Sequence, residues 1–213
     1  MIANAHQHKP TQKGSFGTYP SAVRKYLRAF QDAAEARPDR FIRYDLPLQL
    51  DDSRTVLAQL LRVPVDEVVF VPNATTGVNT VLRNLRYAPG DTIVYFATVY
   101  AACEKTIEYL CETTPVSGVK IGAVYPVEDD VLVSMLRDAV RDVKRKGGRV
   151  RVAMFDTVVS VPGVRVPFEQ LVEMLRGEDP GILTLVDGAH GVGHIPLDLG
   201  KLDADFFVSN CHK

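Results

Sequence analysis

Apolar residues recur along this chain in two rhythms. Between positions 21 and 36, Val23, Tyr26, Leu27 and Phe30 fall three and four apart, the spacing of one helical face, with Ser21 placed to cap its start. A second helix is predicted over 48–61, closed by Pro64. From there short continuous apolar runs, at 68–71, 92–96, 120–124, 150–155, 182–186 and 204–208, alternate with amphipathic stretches at 75–85, 100–111, 131–146 and 167–176. Pro89-Gly90-Asp91 marks a turn before the second run, and Gly147-Gly148 stops the third amphipathic stretch. Strands that are apolar throughout are buried on both faces, which predicts an α/β fold with a mostly parallel, mixed sheet covered by helices. Ligands in such sheets sit at the carboxyl ends of the strands, so the residues just after each run are the ones to inspect.

Composition narrows the function classes more than the fold. With 213 residues and 46% hydrophobic positions, the chain can build one large core or two small ones. A net charge of -1, with both signs interspersed, argues against nucleic-acid and anionic-membrane partners. The basic run Lys144-Arg145-Lys146 sits at a helix end, where it complements the dipole and meets solvent. Cys103, Cys111 and Cys211 form no CxxC pair and no metal-ligand spacing, as expected of a reducing compartment. No run approaches the ~18 consecutive apolar residues of a membrane span, and the polar start lacks a signal-peptide core. A cytoplasmic protein is expected, with a polar leader or arm over 1–20 and the main domain over 21–213.

Three strand ends carry candidate chemistry. Asn73-Ala74-Thr75-Thr76-Gly77 opens a helix, so free backbone N–H groups and two hydroxyls converge on a spot that suits a phosphate; Asn73 or Thr75 acting as a simple N-cap is the alternative. Val186-Asp187-Gly188-Ala189-His190-Gly191 ends a buried strand in an aspartate, with small residues leaving room for a flat ligand whose ring nitrogen the carboxylate could keep protonated. A turn aspartate, or a metal held by Asp187, His190 and His194, are the rivals there. Phe206-Phe207-Val208-Ser209-Asn210-Cys211-His212-Lys213 puts a lysine just after the last strand, where desolvation favours Schiff-base chemistry; a surface loop lysine is the plainer reading.

Taken together, a phosphate cradle, an aspartate about 110 residues on (75 to 187) and a lysine 26 further (187 to 213) resemble the pyridoxal-phosphate (PLP) enzymes of fold type I. Asn-Ala-Thr-Thr-Gly-Val-Asn, Val-Asp-Gly-Ala-His-Gly-Val-Gly-His-Ile-Pro-Leu-Asp-Leu and Ala-Asp-Phe-Phe-Val-Ser-Asn-Cys-His-Lys are similar to class V aminotransferases, and Asn-Cys-His-Lys in particular to the isopenicillin N epimerase-like branch with its C–S lyases. The resemblance runs from Gly14 to Lys213. It implies that Lys213 holds PLP and shuttles the α-proton, that Asp187 pairs with the pyridine nitrogen, and that His190 reaches the phenolate oxygen. Thr75 and Thr76 would bind the phosphate with His212 as a further donor, and Tyr100 would lie over the ring; a helix-start tyrosine packed on the sheet, and a core or turn histidine, are the alternatives. No metal is implied.

Two departures bear on that picture. Thr98-Val99 stands where relatives often carry Asp-His, and Gln12-Lys13-Gly14-Ser15-Phe16-Gly17 where they read Asn-His-Gly-Ser-Phe-Gly. The family also continues well past its lysine, completing the large domain, building a small one and supplying the arginine for the substrate carboxylate. The resemblance therefore implies that the C-terminal part is absent here, either because the polypeptide is longer or because it is truncated, and that the full-length form is a homodimer. Asp156-Thr157-Val158-Val159-Ser160-Val161-Pro162-Gly163-Val164-Arg165 looks like the hercynylcysteine sulfoxide lyase subgroup and its alkaloid-pathway relatives. The expected activity is Cβ–S cleavage of a cysteine-derived amino acid, with an epimerase, desulfurase or cyclase as alternatives that share its first steps. From other classes, a truncated non-catalytic paralogue and a metal hydrolase remain open, whereas a dinucleotide oxidoreductase fits poorly because no GxGxxG follows the first strand.

Overall fold

The computed structural model describes Gly17 and residues 19–213. Of the expected leader, only Gly17, Tyr19 and Pro20 fall within the described residues; the 12–16 segment lies outside them. The chain forms two compact units, one containing the described residues up to Phe70 together with His212 and Lys213, the other Val71–Cys211.

In the first unit, α1 (Ser21–Ala36) follows the predicted stripe, but its start is built differently. Pro20 occupies the N-cap position with φ of -60 and accepts the Val23 and Arg24 amides, while Ser21 is the first helical residue rather than the cap. α2 (Pro38–Arg40), a π turn (Phe41–Asp45) and α3 (Leu46–Leu61) then run on without a break, so helix begins well before position 48. Pro47 has no N–H to donate backward, and the π turn, closed by the Leu46 amide on the Phe41 carbonyl, shifts the hydrogen-bond register just ahead of it. Arg62, with φ of 60, ends α3 in the left-handed conformation. The run 68–71 is not a strand. A 3-10 turn (Val65–Glu67) precedes it, and the Arg54 guanidinium takes the carbonyls of Val65 and Val68 at 2.8 and 2.7 Å, the groups a neighbouring strand would need.

The second unit is a five-stranded sheet: β1 (Asp91–Phe96), β2 (Ser117–Ile121), β3 (Arg149–Asp156), β4 (Leu183–Gly188) and β5 (Phe206–Ser209). Their order is β2-β1-β3-β4-β5 and all four pairings are parallel. One face carries α4 (Ala74–Asn84) and α5 (Ala101–Thr113), which bury Val78, Leu82, Ile107 and Leu110 against Ile93, Val152 and Leu185. The other carries α6 (Asp129–Arg145) and α7 (Phe168–Glu178), which bury Leu136, Val140, Leu171 and Leu175 against Val94, Ala153 and Val186. Strands covered on both faces are uniformly apolar, which is why β1, β3 and β4 are readable as runs. β2 instead lies at the edge, with Ser117, Gly118 and Lys120 exposed, and pairs three residues earlier than its apolarity suggested. α6 ends as expected at glycine: Gly147, with φ of +81, lets its own amide and that of Gly148 turn back to the carbonyls of Lys144 and Val143. Among the described residues no helix is long and apolar enough to cross a membrane.

β5 is short, and a polar clasp secures its entry to β4. Asp205 accepts from the Thr184 amide at 2.8 Å, the Thr184 hydroxyl at 3.0 Å and Arg176 Nη2 at 2.8 Å, while Arg176 also binds the carbonyls of Asp203 and Ile182. Burial pushes the Asp205 carboxyl upward, but the Thr184 donors and the Arg176 guanidinium outweigh it and hold the group below the usual carboxylate range. Hydrogen bonds to a charged group contribute ~1.5–3 kcal/mol, so Asp205→Asn should lower the unfolding free energy by about that much near neutral pH. Because the folded value is depressed, this contribution is present above the unfolded value of ~3.9 and is lost as pH falls through the folded one. Urea unfolding of the two proteins across pH should therefore show curves that converge in acid; a gap that stays constant would contradict the clasp.

Candidate functional site

The N-terminus of α4 is the first part of the site. Asn73, extended at φ -168, caps the helix by accepting the Thr76 amide on Oδ1 at 2.8 Å and the Thr76 hydroxyl at 3.2 Å. The Ala74 amide goes elsewhere, to Oδ1 of Asn210 at 3.0 Å, across 136 residues of chain. Gly77 brings the helix close to β5, since a Cβ there would meet Val208 Cγ1 at 3.0 Å. With Ala74 and Thr76 accounted for, the Thr75 amide has no protein partner among the described residues, and both threonines are half-buried. The capping alternative is thus correct for Asn73 and not for Thr75, and one amide remains to meet an anion at the positive end of an 11-residue helix.

β4 ends in the second part. Asp187 is 2% exposed; its Oδ1 accepts the Ala189 amide at 2.9 Å, and the Cys103 thiol on α5 lies 3.9 Å from Oδ2. Gly188 lets the Phe207 ring lie close, since a Cβ there would fall 2.2 Å from Phe207 Cζ, and the Ser209 hydroxyl donates to the Gly188 carbonyl at 2.6 Å. His190 is half-buried in the following turn, with its Nε2 3.2 Å from the Ser160 hydroxyl. Tyr100 stands at the N-cap of α5 and is 49% exposed. Asp156, 4% exposed, is in register with Asp187 and so shares its face of the sheet. Close by, burial raises the Tyr125 phenol, the nearby Asp156 charge adds to that, and a Thr98 hydrogen bond opposes both.

Thr75, Thr76, Tyr100, Asp187 and His190 all belong to the second unit, on elements that meet at the carboxyl edge of the sheet. His212 and Lys213 group with the first unit; by chain connection Lys213 lies four residues beyond Ser209, the end of β5. Among the described residues no group of three or more His, Cys, Asp or Glu is placed to hold a metal ion, so the trio of Asp187, His190 and His194 is not assembled. Four polar groups of this edge were not singled out from the sequence as site residues. Cys103 reads as one more apolar position on a helix face, and Asp156, Ser160 and Asn210 as parts of longer motifs; only the register between strands brings them in.

The sequence model described as aminotransferase class-V matches residues 23–213. The chain belongs to this family. It is 40% identical over 199 residues to L-cysteine desulfhydrase-like protein lolT1 of Epichloe uncinata, covering 93% of this chain and 43% of that protein. It is 26% identical over 201 residues to hercynylcysteine sulfoxide lyase of Schizosaccharomyces pombe, covering 94% of this chain and 48% of that one. The chain therefore spans less than half the length of these relatives. In fold it is similar to a cystine C–S lyase solved with its reaction product cysteine persulfide, with a TM-score of 0.79 and 19% identity over 91% of this chain and 50% of that one. The cofactor that goes with the family is pyridoxal phosphate.

The class-V edge described above suits that cofactor. PLP presents a phosphate, a pyridine nitrogen, a phenolic oxygen and a flat ring. Against these stand an uncommitted helix amide flanked by two threonines, a carboxylate at a strand end, a half-buried imidazole and a half-exposed tyrosine. The Thr76 hydroxyl has to leave Asn73 to serve a phosphate, whereas the Thr75 hydroxyl has no such prior bond among the described residues.

The frame of this edge depends on Asn210, which is 8% exposed. Asn210→Ala removes the acceptor for the buried Ala74 amide, at a cost of ~1–3 kcal/mol. Hydrogen exchange should show faster opening at the start of α4 with the α6 and α7 amides unchanged. Uniform protection across α4 would mean that Asn210 does not hold the helix end.

Proposed function

We propose that this chain is the cofactor-binding N-terminal part of a PLP-dependent lyase that cleaves the Cβ–S bond of a cysteine-derived amino acid. The observation that carries the reading is the buried Asp187 carboxylate ending β4, on the same sheet edge as the open N-terminus of α4. Once bound, PLP supplies an electron sink for the bond broken at the substrate's α-carbon.

The chain's own residues then divide the work. The Lys213 ε-amine would hold the cofactor and would move the proton at the substrate's α-carbon. Asp187 would keep a proton on the pyridine nitrogen, and its burial would strengthen that pairing because few waters compete for either partner. The Thr75 and Thr76 hydroxyls and the Thr75 amide would bind the phosphate, assisted by the dipole of α4, and the family resemblance adds His212 as a further donor. His190 would hydrogen-bond the phenolic oxygen, and Tyr100 would cover the ring. Support for the C–S outcome comes from the 40% identity to a desulfhydrase-like protein and the 26% identity to a hercynylcysteine sulfoxide lyase.

Borohydride reduction of the full-length protein with PLP, followed by peptide mass spectrometry, should find a phosphopyridoxyl group on Lys213. Label on a different lysine, or none on folded protein, rejects the assignment. With cysteine or an S-substituted cysteine as substrate, sulfur release should accompany turnover, whereas α-proton exchange without sulfur release would point to the epimerase alternative.

Asp187→Asn should leave cofactor bound while lowering kcat much more than it raises KM, since the charge it removes matters most when electrons have moved into the ring. Normal turnover by a folded Asp187→Asn protein would refute the role.

A further inference from the structure

His190 lies on a turn whose shape is set by the loop after β3. That loop folds back on itself: the Val159 amide donates to the Val164 carbonyl at 3.0 Å, the Val166 amide to the Thr157 carbonyl at 2.9 Å, and Val158 bridges Arg165 in antiparallel fashion. Val159 and Val166, exposed by 1% and 3%, anchor it in the core. It is fastened to the β4 turn at two further points. The Thr157 amide donates to the Asp187 carbonyl at 2.9 Å, and Gly191 sits so close that a Cβ would fall 2.7 Å from Thr157 Oγ1. The Gly191 amide in turn closes on the Gly188 carbonyl at 2.8 Å, which leaves the segment carrying His190 little freedom. From this braced hairpin Ser160 presents its hydroxyl to Nε2 of His190 at 3.2 Å, with both residues half-buried.

We propose that Ser160 is a positioning residue for His190, fixing the imidazole in its Nδ1–H tautomer by donating its hydroxyl hydrogen to Nε2. A hydroxyl can donate to an unprotonated ring nitrogen or accept from a protonated one, so the distance alone serves either direction. The chemistry of the site selects one. On the reading of His190 above, on which this inference rests, the ring must offer a hydrogen to an anionic oxygen. With Nε2 committed to Ser160, a neutral imidazole can make that offer only from Nδ1, and it does so only if Ser160 is the donor at Nε2. The loop after β3 thereby controls which nitrogen carries the proton without touching the cofactor itself.

The test is ring-nitrogen NMR on full-length, cofactor-free protein labelled with 15N-histidine, at a pH where the imidazole is neutral, with the His190 signals assigned by their loss in His190→Gln. The parent should show a pyrrole-type Nδ1 and a pyridine-type Nε2. In Ser160→Ala the two shifts should move toward each other or exchange, and Ser160→Thr, which keeps the hydroxyl, should restore the parent pattern. In the PLP-loaded protein with its sulfur-containing substrate, Ser160→Ala should lower kcat by about tenfold, the value of one hydrogen bond, with KM within about twofold. A parent that carries its proton on Nε2, a Ser160→Ala spectrum identical to the parent, or a changed spectrum with unchanged kcat each overturns the proposal. Failure of the broader PLP reading looks different, as absence of phosphopyridoxyl label on Lys213 of the parent.

Discussion

A parallel sheet places every carboxyl end on the same edge, and the candidate site depends on that constraint. β1, β3, β4 and β5 all deliver their last residues there, so residues far apart in sequence (Thr98, Asp156, Asp187 and Asn210) arrive together without any loop having to seek them. The strand order adds a second condition. From β1 the chain steps outward to β2 and then crosses to β3, so the connections leaving β1 and β3 diverge and open a crevice between them. Helices then contribute through their ends. α4 reaches the same edge with its N-terminus because Asn210 and the close approach at Gly77 hold it to β5.

Burying carboxylates on this edge works against the stability of the sheet. Asp156 and Asp187 are neighbours in register and both nearly inaccessible, and taking a carboxylate out of water is costly unless partners compensate it. Part of the cost at Asp187 is offset locally by the Ala189 amide and the Cys103 thiol. Asp205 on the opposite edge of β4 makes a useful contrast. It is surrounded by the Arg176 guanidinium and the Thr184 donors, a full complement for an ion whose purpose is structural.

The parts of this molecule readable in advance were those where one physical effect dominated. Double-sided burial wrote β1, β3 and β4 as unbroken apolar runs, and the stripe Leu132, Leu136, Val140, Val143 wrote α6. Where effects competed, reading failed. β2 is an edge strand and half polar, so the apolar residues just after it drew the boundary three positions late. The 68–71 run has strand composition, but Arg54 reaches from α3 to claim the Val68 carbonyl, a tertiary event no local pattern encodes. Helix before Leu46 was hidden because Pro47 reads as a start signal, whereas the π turn carries the helix through it. At the site, Thr75, Asp187 and His190 stood out because they sit in wording tied to strand ends. Ser160 and Cys103 did not, because their relevance is set by what faces them across the fold.

The bond between Ala74 and Asn210 has a consequence for synthesis as well as for the folded state. The 136 residues separating its partners take a ribosome about 7–30 s to add at ~5–20 residues per second. Throughout that interval α4 can form its turns, but its first amide lacks the Asn210 acceptor, and Val152 and Leu185, against which Val78 and Leu82 pack, emerge only late in it. The first turn of α4 is thus among the last features to mature, completed only when β5 has emerged and paired with β4.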